Sequence, residues 1–91
     1  MTEKEAYQAT KERIESLLSK EGFLPDIKGF KKIIAQYSKR INLLYKGSQV
    51  FAQTTKDVEK ISERIAVLRG TRTAYKEALL AIEENIKRRT L

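Results

Sequence analysis

Between residues 27 and 44 the apolar side chains fall at Ile27, Phe30, Ile34, Tyr37, Ile41 and Leu44, in alternating steps of three and four. That is the spacing of one face of an α-helix. Ile33 and Tyr45 widen the face toward what a packed helix needs. Lys28, Lys32, Lys39 and Lys46 fall on the opposite side, with Lys31 at its edge. The pattern predicts a helix with an apolar face that requires a partner and a basic face that stays wet.

The flanking segments read in the same way. Thr2 and Glu5 have the T-x-x-E spacing of a capping box, so a first helix is expected from about Glu3. Tyr7, Thr10, Ile14, Leu17 and Leu18 share one of its sides. Gly22 suits the left-handed position that ends a helix, with Phe23 folding back on Leu18. Pro25 fits the first turn of the next helix, and Asp26 complements its positive end. Gly47-Ser48 is the next punctuation, with Ser48 as an N-cap. Beyond it Phe51, Val58, Ile61, Ile65 and Leu68 form one stripe, with Thr54 filling a gap. Carrying that stripe back to Leu44 needs two consecutive steps of three, which supports a break.

At Gly70-Thr71-Arg72-Thr73 the signals conflict. Gly and two Thr favour a turn and an N-cap. The apolar register runs on through Arg72, Tyr75, Leu79, Ile82 and Ile86, as one long C-terminal helix would require. Breaks at all three glycines give an all-α, single domain over residues 1–91, an antiparallel up-down four-helix bundle. Continuity through Gly70 gives three helices with a long last one. Such a chain is expected to dimerise, because a protruding half-helix has to cover its stripe.

Composition narrows the chemistry. The 91 residues include no Cys, His or Trp, so disulfides and thiolate or imidazole metal sites are excluded and no cofactor is expected. The missing bridges lean toward a reducing, cytoplasmic setting. The N-terminus has no apolar core of a signal peptide, and no apolar run approaches the ~20 residues of a membrane span. The acidic residues sit at helical spacings near Lys or Arg, as exposed charge pairs do. One enzyme reading remains: small helical chorismate mutases bind a dicarboxylate with inward cations, and Arg72 lies in an apolar register. An Arg whose stem is buried and whose head reaches outward explains the same residue.

The net charge is +7. It is concentrated in residues 26–47, which carry six basic groups and one acidic group, and in Lys87-Arg88-Arg89. Lys28, Lys32, Lys39, Lys46, Lys87, Arg88 and Arg89 are therefore the candidate contacts to a partner or to phosphate. This supports a basic nucleic-acid-binding protein of phage, plasmid or ribosomal origin. No aromatic residue interleaves the lysines, so the stripe lacks the mark of a single-strand stacking site. Leu43, Val67 and Leu80 fall on otherwise polar sides and form an apolar partner patch if they lie close in space.

Three local features carry a family resemblance. Leu24-Pro25-Asp26-Ile27-Lys28 opens the second helix, Tyr45-Lys46-Gly47 closes it, and the stripe Val50, Val58, Ile61 follows. Their order resembles the immunity proteins that protect lactic acid bacteria against their own pediocin-like (class IIa) bacteriocins. The match covers about the middle half of the chain and consists of helix lengths, a turn and apolar spacing. It implies a small, cytoplasmic, non-enzymatic four-helix bundle that acts by holding a partner. The implied partner is the cytoplasmic side of a sugar-transport receptor engaged by toxin. Many members carry a C-terminal extension that recognises the toxin and receptor. Here the chain stops at Leu91, so recognition is expected on the third and fourth helices.

Overall fold

The computed structural model describes residues 1–51 and 54–90, the side chains of 50, 51 and 90 excepted. Among these residues there are three helices and no strand: α1 (Glu3–Leu18), α2 (Ile27–Phe51) and α3 (Thr55–Thr90). The all-α reading and its three-helix alternative are thus observed, and the four-helix bundle is not. Two of the three expected breaks are absent, for different reasons.

Helix α1 starts as its capping box requires. The Glu5 amide donates to Thr2 Oγ1 and the Thr2 amide to Glu5 Oε1, both at 3.1 Å. The two bonds satisfy amides that the first turn leaves without intrahelical partners. The helix ends at Leu18, with Ser19 as its C-cap. Gly22 does have a positive φ of 79°, yet it is not the helix stop. It sits third in the turn Lys20–Phe23, closed by the Phe23 amide on the Lys20 carbonyl at 3.1 Å. Pro25 lies just before the cap rather than inside the helix. Asp26 is the cap of α2: its Oδ1 accepts from the Gly29 amide at 3.0 Å, and its carbonyl from Phe30 at 2.9 Å.

Helix α2 continues through Gly47. The Gly costs about 1 kcal/mol in a helix interior, a loss offset by the packing of α2 against α3 that reaches Leu44 and Tyr45 just before it. Ser48 does not cap a new helix; its hydroxyl donates to the Tyr45 carbonyl at 2.8 Å, within the turn. The new start is Thr54, whose Oγ1 accepts from the Asp57 amide at 3.1 Å. The described part of α2 therefore reaches Phe51, and α3 begins after Thr54 instead of at Ser48. The side chains of Val50 and Phe51, which the apolar stripe had included, lie outside the described residues.

Helix α3 continues through Gly70, and here the glycine makes a contact. Gly70 is buried, and a Cβ on it would stand 2.2 Å from the Glu3 carbonyl oxygen and 3.0 Å from the Tyr7 amide nitrogen. Only a residue without a side chain lets the first turn of α1 lie this close. Thr71 and Thr73 cap nothing; their hydroxyls donate to the carbonyls of Val67 and Arg69 at 3.1 and 2.9 Å.

The partners of α1 climb along α3. Glu3 meets Gly70, Thr10 meets Thr71, and Ile14 and Leu18 share a hollow with Ala78 and Ala81, so the two helices run parallel. The partners of α2 descend: Phe30 meets Tyr75, Ser38 meets Arg72, and Tyr45 meets Arg69. That pair is antiparallel. No Cα approach within 8 Å joins α1 to α2. Each packs on its own side of α3, whose 36 residues extend about 54 Å at 1.5 Å per residue. This matches the 54 × 20 × 18 Å extents of the molecule.

The core is correspondingly thin. Its buried apolar residues are Ala6, Ile14, Ile41, Ile65, Ala74, Leu79 and Ile82. The accessible surface is 7256 Å², against about 5,400 Å² for a compact folded chain of this mass. The radius of gyration is 16.0 Å, where about 12 Å is usual for this length.

Candidate functional site

The contacts of α2 with α3 decide what α2 shows to solvent. The Phe30 and Tyr37 rings lie 5.7 and 6.0 Å from the Tyr75 ring, and Ile41 is buried. These anchors fix the rotation of the helix. Lys28, Lys32, Lys39 and Lys46 consequently face away from α3, and all four are exposed. Because Gly47 does not interrupt α2, the four lie on one unbroken helix. Their row spans about 27 Å, with steps of about 6, 10.5 and 10.5 Å. The 25 residues of α2 include six basic residues and no Asp or Glu, so the helix itself supplies no neutralising group.

The C-terminal cations are also exposed: Lys87, Arg88 and Arg89. They stand in the last turn of α3, where cations complement the negative end of the helix dipole. Phe30, in the first turn of α2, lies against Tyr75, so the three cations stand about 18–21 Å beyond that point along α3, past the end where α2 begins. Lys39 and Lys46 lie toward the opposite end. The seven expected residues thus form a line and a terminal cluster rather than one compact patch.

Other cations have different roles. Arg40 lies over the Tyr37 ring at 6.0 Å. Arg69 lies over the Tyr45 ring at 5.3 Å and also donates to the Tyr45 hydroxyl. Arg72 points inward between α2 and α3. Its Nη1 donates to Ser38 Oγ at 3.1 Å, while its Nε is buried without a hydrogen-bond partner. Among the described residues no group of three or more acidic side chains is gathered to hold a metal ion, and no helix is long and apolar enough to cross a membrane.

The apolar patch expected from Leu43, Val67 and Leu80 exists in part. Leu43 and Val67 line two open hollows, of about 390 and 490 Å³, that meet at Leu44 and Arg64. Leu80 stands about 20 Å farther along α3. Met1, Lys60 and Arg64 complete the hollows and were not singled out from the sequence. Helical periodicity ranks positions within one helix and does not reveal which helices flank a groove. No family model, curated protein or solved structure matches this chain.

Proposed function

We propose that this protein is a non-enzymatic binding protein whose outward α2 face engages a polyanion, the nucleic-acid backbone above all. The observation that supports it is the unbroken, acid-free α2 with its four lysines in a straight exposed row. A row of point charges without interleaved aromatics suits phosphates and carries no base code. The absence of His and Cys and the engagement of Arg72 by Ser38 support a non-enzymatic role over the chorismate-mutase-like alternative.

The test is an anisotropy titration with a labelled 20-base-pair duplex at several salt concentrations. Affinity should fall steeply with salt, since each neutralised phosphate releases counterions. Changing Lys28, Lys32, Lys39 or Lys46 to Ala, one at a time, should lower the salt slope by about one unit each, whatever the sequence. Absence of binding at low salt, or binding indifferent to salt, would discard the reading.

A second reading is a bacteriocin immunity protein that holds a protein partner on the cytoplasmic side. Exposed apolar side chains such as Leu43, Val58 and Leu80 favour a protein partner. The four-helix bundle that the resemblance implied is not the observed architecture, and Tyr45-Lys46-Gly47 lies inside α2 rather than closing it. Expression in a sensitive strain challenged with a panel of pediocin-like bacteriocins tests it; unchanged killing across the panel counts against it.

A further inference from the structure

The two hollows beside Leu44 form a groove between the C-terminal half of α2 and the N-terminal half of α3. Arg40 and Leu44 lie on a different side of α2 from its lysine row, and Leu43 stands where the two sides meet. Downstream of Gly70, α3 has α1 against it; upstream, this groove lies open. Met1, at the start of α1, forms its far wall. Leu43, Leu44, Ile61, Val67 and Leu68 supply an apolar floor. Leu43 is 58 % exposed and the other four floor residues are half-buried, while Met1 on the far wall is 75 % exposed. Around it stand Arg40, Lys60 and Arg64, with Glu63 the one acidic residue.

We propose that this groove docks an acidic amphipathic helix of a partner protein. An apolar floor over about 12 Å of α3, from residue 60 to 68, accepts about two turns of helix, with anchors at i, i+3, i+4 and i+7. Three cations against one acid on the rim select a partner rich in Asp and Glu, and steer its approach. A second copy is disfavoured because it brings the same cationic rim and a net charge of +7. This surface is independent of the nucleic-acid reading and stands or falls separately.

The experiment uses two labelled 12-residue helical peptides with the same Leu anchors, one with Glu and one with Lys on the remaining positions. Fluorescence anisotropy should show the Glu peptide binding the whole protein at least tenfold more tightly than the Lys peptide. The double variant Lys60→Glu with Arg64→Glu should reverse that preference, and Leu43→Ser should weaken the Glu peptide several-fold. These positions are exposed, and circular dichroism checks that helix content is retained. Equal binding of both peptides, no binding of either, or a preference that survives the double charge reversal overturns the proposal. So does loss of Glu-peptide binding in Lys32→Ala with Lys39→Ala while the double reversal is silent, since the site is then the outer face of α2. Sedimentation showing a dimer that Leu43→Ser dissociates overturns it in favour of a second copy.

Discussion

Helix α3 has two neighbours and meets them in opposite ways. Against α1 it presents Gly70, Ala74 and Ala78, four residues apart, and α1 answers with Ala6, Thr10 and Ile14. Ala6, Thr10, Ile14, Gly70 and Ala74 are buried. Against α2 it presents Leu68, Arg72 and Tyr75, and α2 answers with Phe30, Tyr37 and Leu44, all half-buried. Among the described side chains of α2, Ile41 alone is buried. Small residues bring backbones together and exclude water where the two helices touch, so that seam is narrow and closed along its centre, with hollows of about 600 and 180 Å³ at its edges. Large residues hold the backbones apart and leave grooves along both edges of the contact. The lysine row and the groove at Leu44 and Arg64 both belong to the α2–α3 half of the molecule, the one built on large, half-buried side chains.

The glycines give the largest test of this contrast. Gly70→Ala places a Cβ 2.2 Å from the Glu3 carbonyl oxygen, so α1 must move. Overpacking of this kind costs about 1–3 kcal/mol, offset by about 1 kcal/mol of gained helix propensity. A net loss of up to about 2 kcal/mol is expected in urea unfolding, with earlier amide exchange in α1 than in α2. The same change at Gly47 meets nothing within 4 Å. Gly47→Ala should therefore stabilise by about 0.4–1 kcal/mol. If both substitutions shift stability in the same direction, the close approach at Gly70 is not what fixes α1.

Arg72 is the next test, on the open seam. Its buried Nε lacks a partner, and an unsatisfied buried group costs about 1–3 kcal/mol. Met has a similar length, needs no hydrogen bond and adapts to irregular gaps. Arg72→Met is expected to raise the melting temperature by a few degrees, at the cost of one bond to Ser38. A drop in melting temperature would mean that the guanidinium organises the α2–α3 seam despite its orphan nitrogen.

The closed seam was harder to read in the sequence than the open one, for a physical reason. The apolar stripe Ile27–Leu44 announced α2 because large side chains carry a strong hydrophobic signal. The capping box Thr2–Glu5 announced the start of α1 because it is local. Gly70 was ambiguous because a glycine that ends a helix and a glycine that admits another helix have the same single-residue signature. What separates them is the spacing Ala66, Gly70, Ala74, Ala78, a run of small residues four apart, and the apolar register that continued past it. Gly47 stands in no such run, yet α2 also passes through it, because propensity alone is a weak signal against tertiary packing. The start of α3 is visible in the Thr54–Asp57 spacing, which the apolar reading absorbs into a stripe. Of the candidate site, the lysine row was fully legible, since it needs only one helix. The groove at Leu44 and Arg64 was not, since it exists only once α2 lies beside α3.

The smallest expected effect is on pH, and it again separates the seams. On the closed seam the Tyr7 hydroxyl donates to Glu77 Oε2. That hydrogen bond, chiefly, and the desolvation and negative charges around it hold the Tyr7 phenol above its ordinary range. A group whose folded pKa is raised contributes stability that is full below its unfolded value and is lost as pH rises through the folded one. The contribution of Tyr7 should thus fade in the alkaline range, above the ordinary phenol value. At the same end of α1, the bonds from Thr2 hold the Glu5 carboxyl below its ordinary range. Its contribution is present above the unfolded carboxylate value and is lost as pH falls through the lower, folded one. Glu5 is exposed and Tyr7 is half-buried at the surface, so solvent screening keeps each effect small. Amide protection across α1, corrected for the intrinsic pH dependence of exchange, should therefore be highest between these limits and lower at either extreme. Tyr7→Phe should remove the alkaline limb and leave the acid limb in place. An alkaline limb that persists in Tyr7→Phe would assign it to a different group and detach Tyr7 from the closing of this seam.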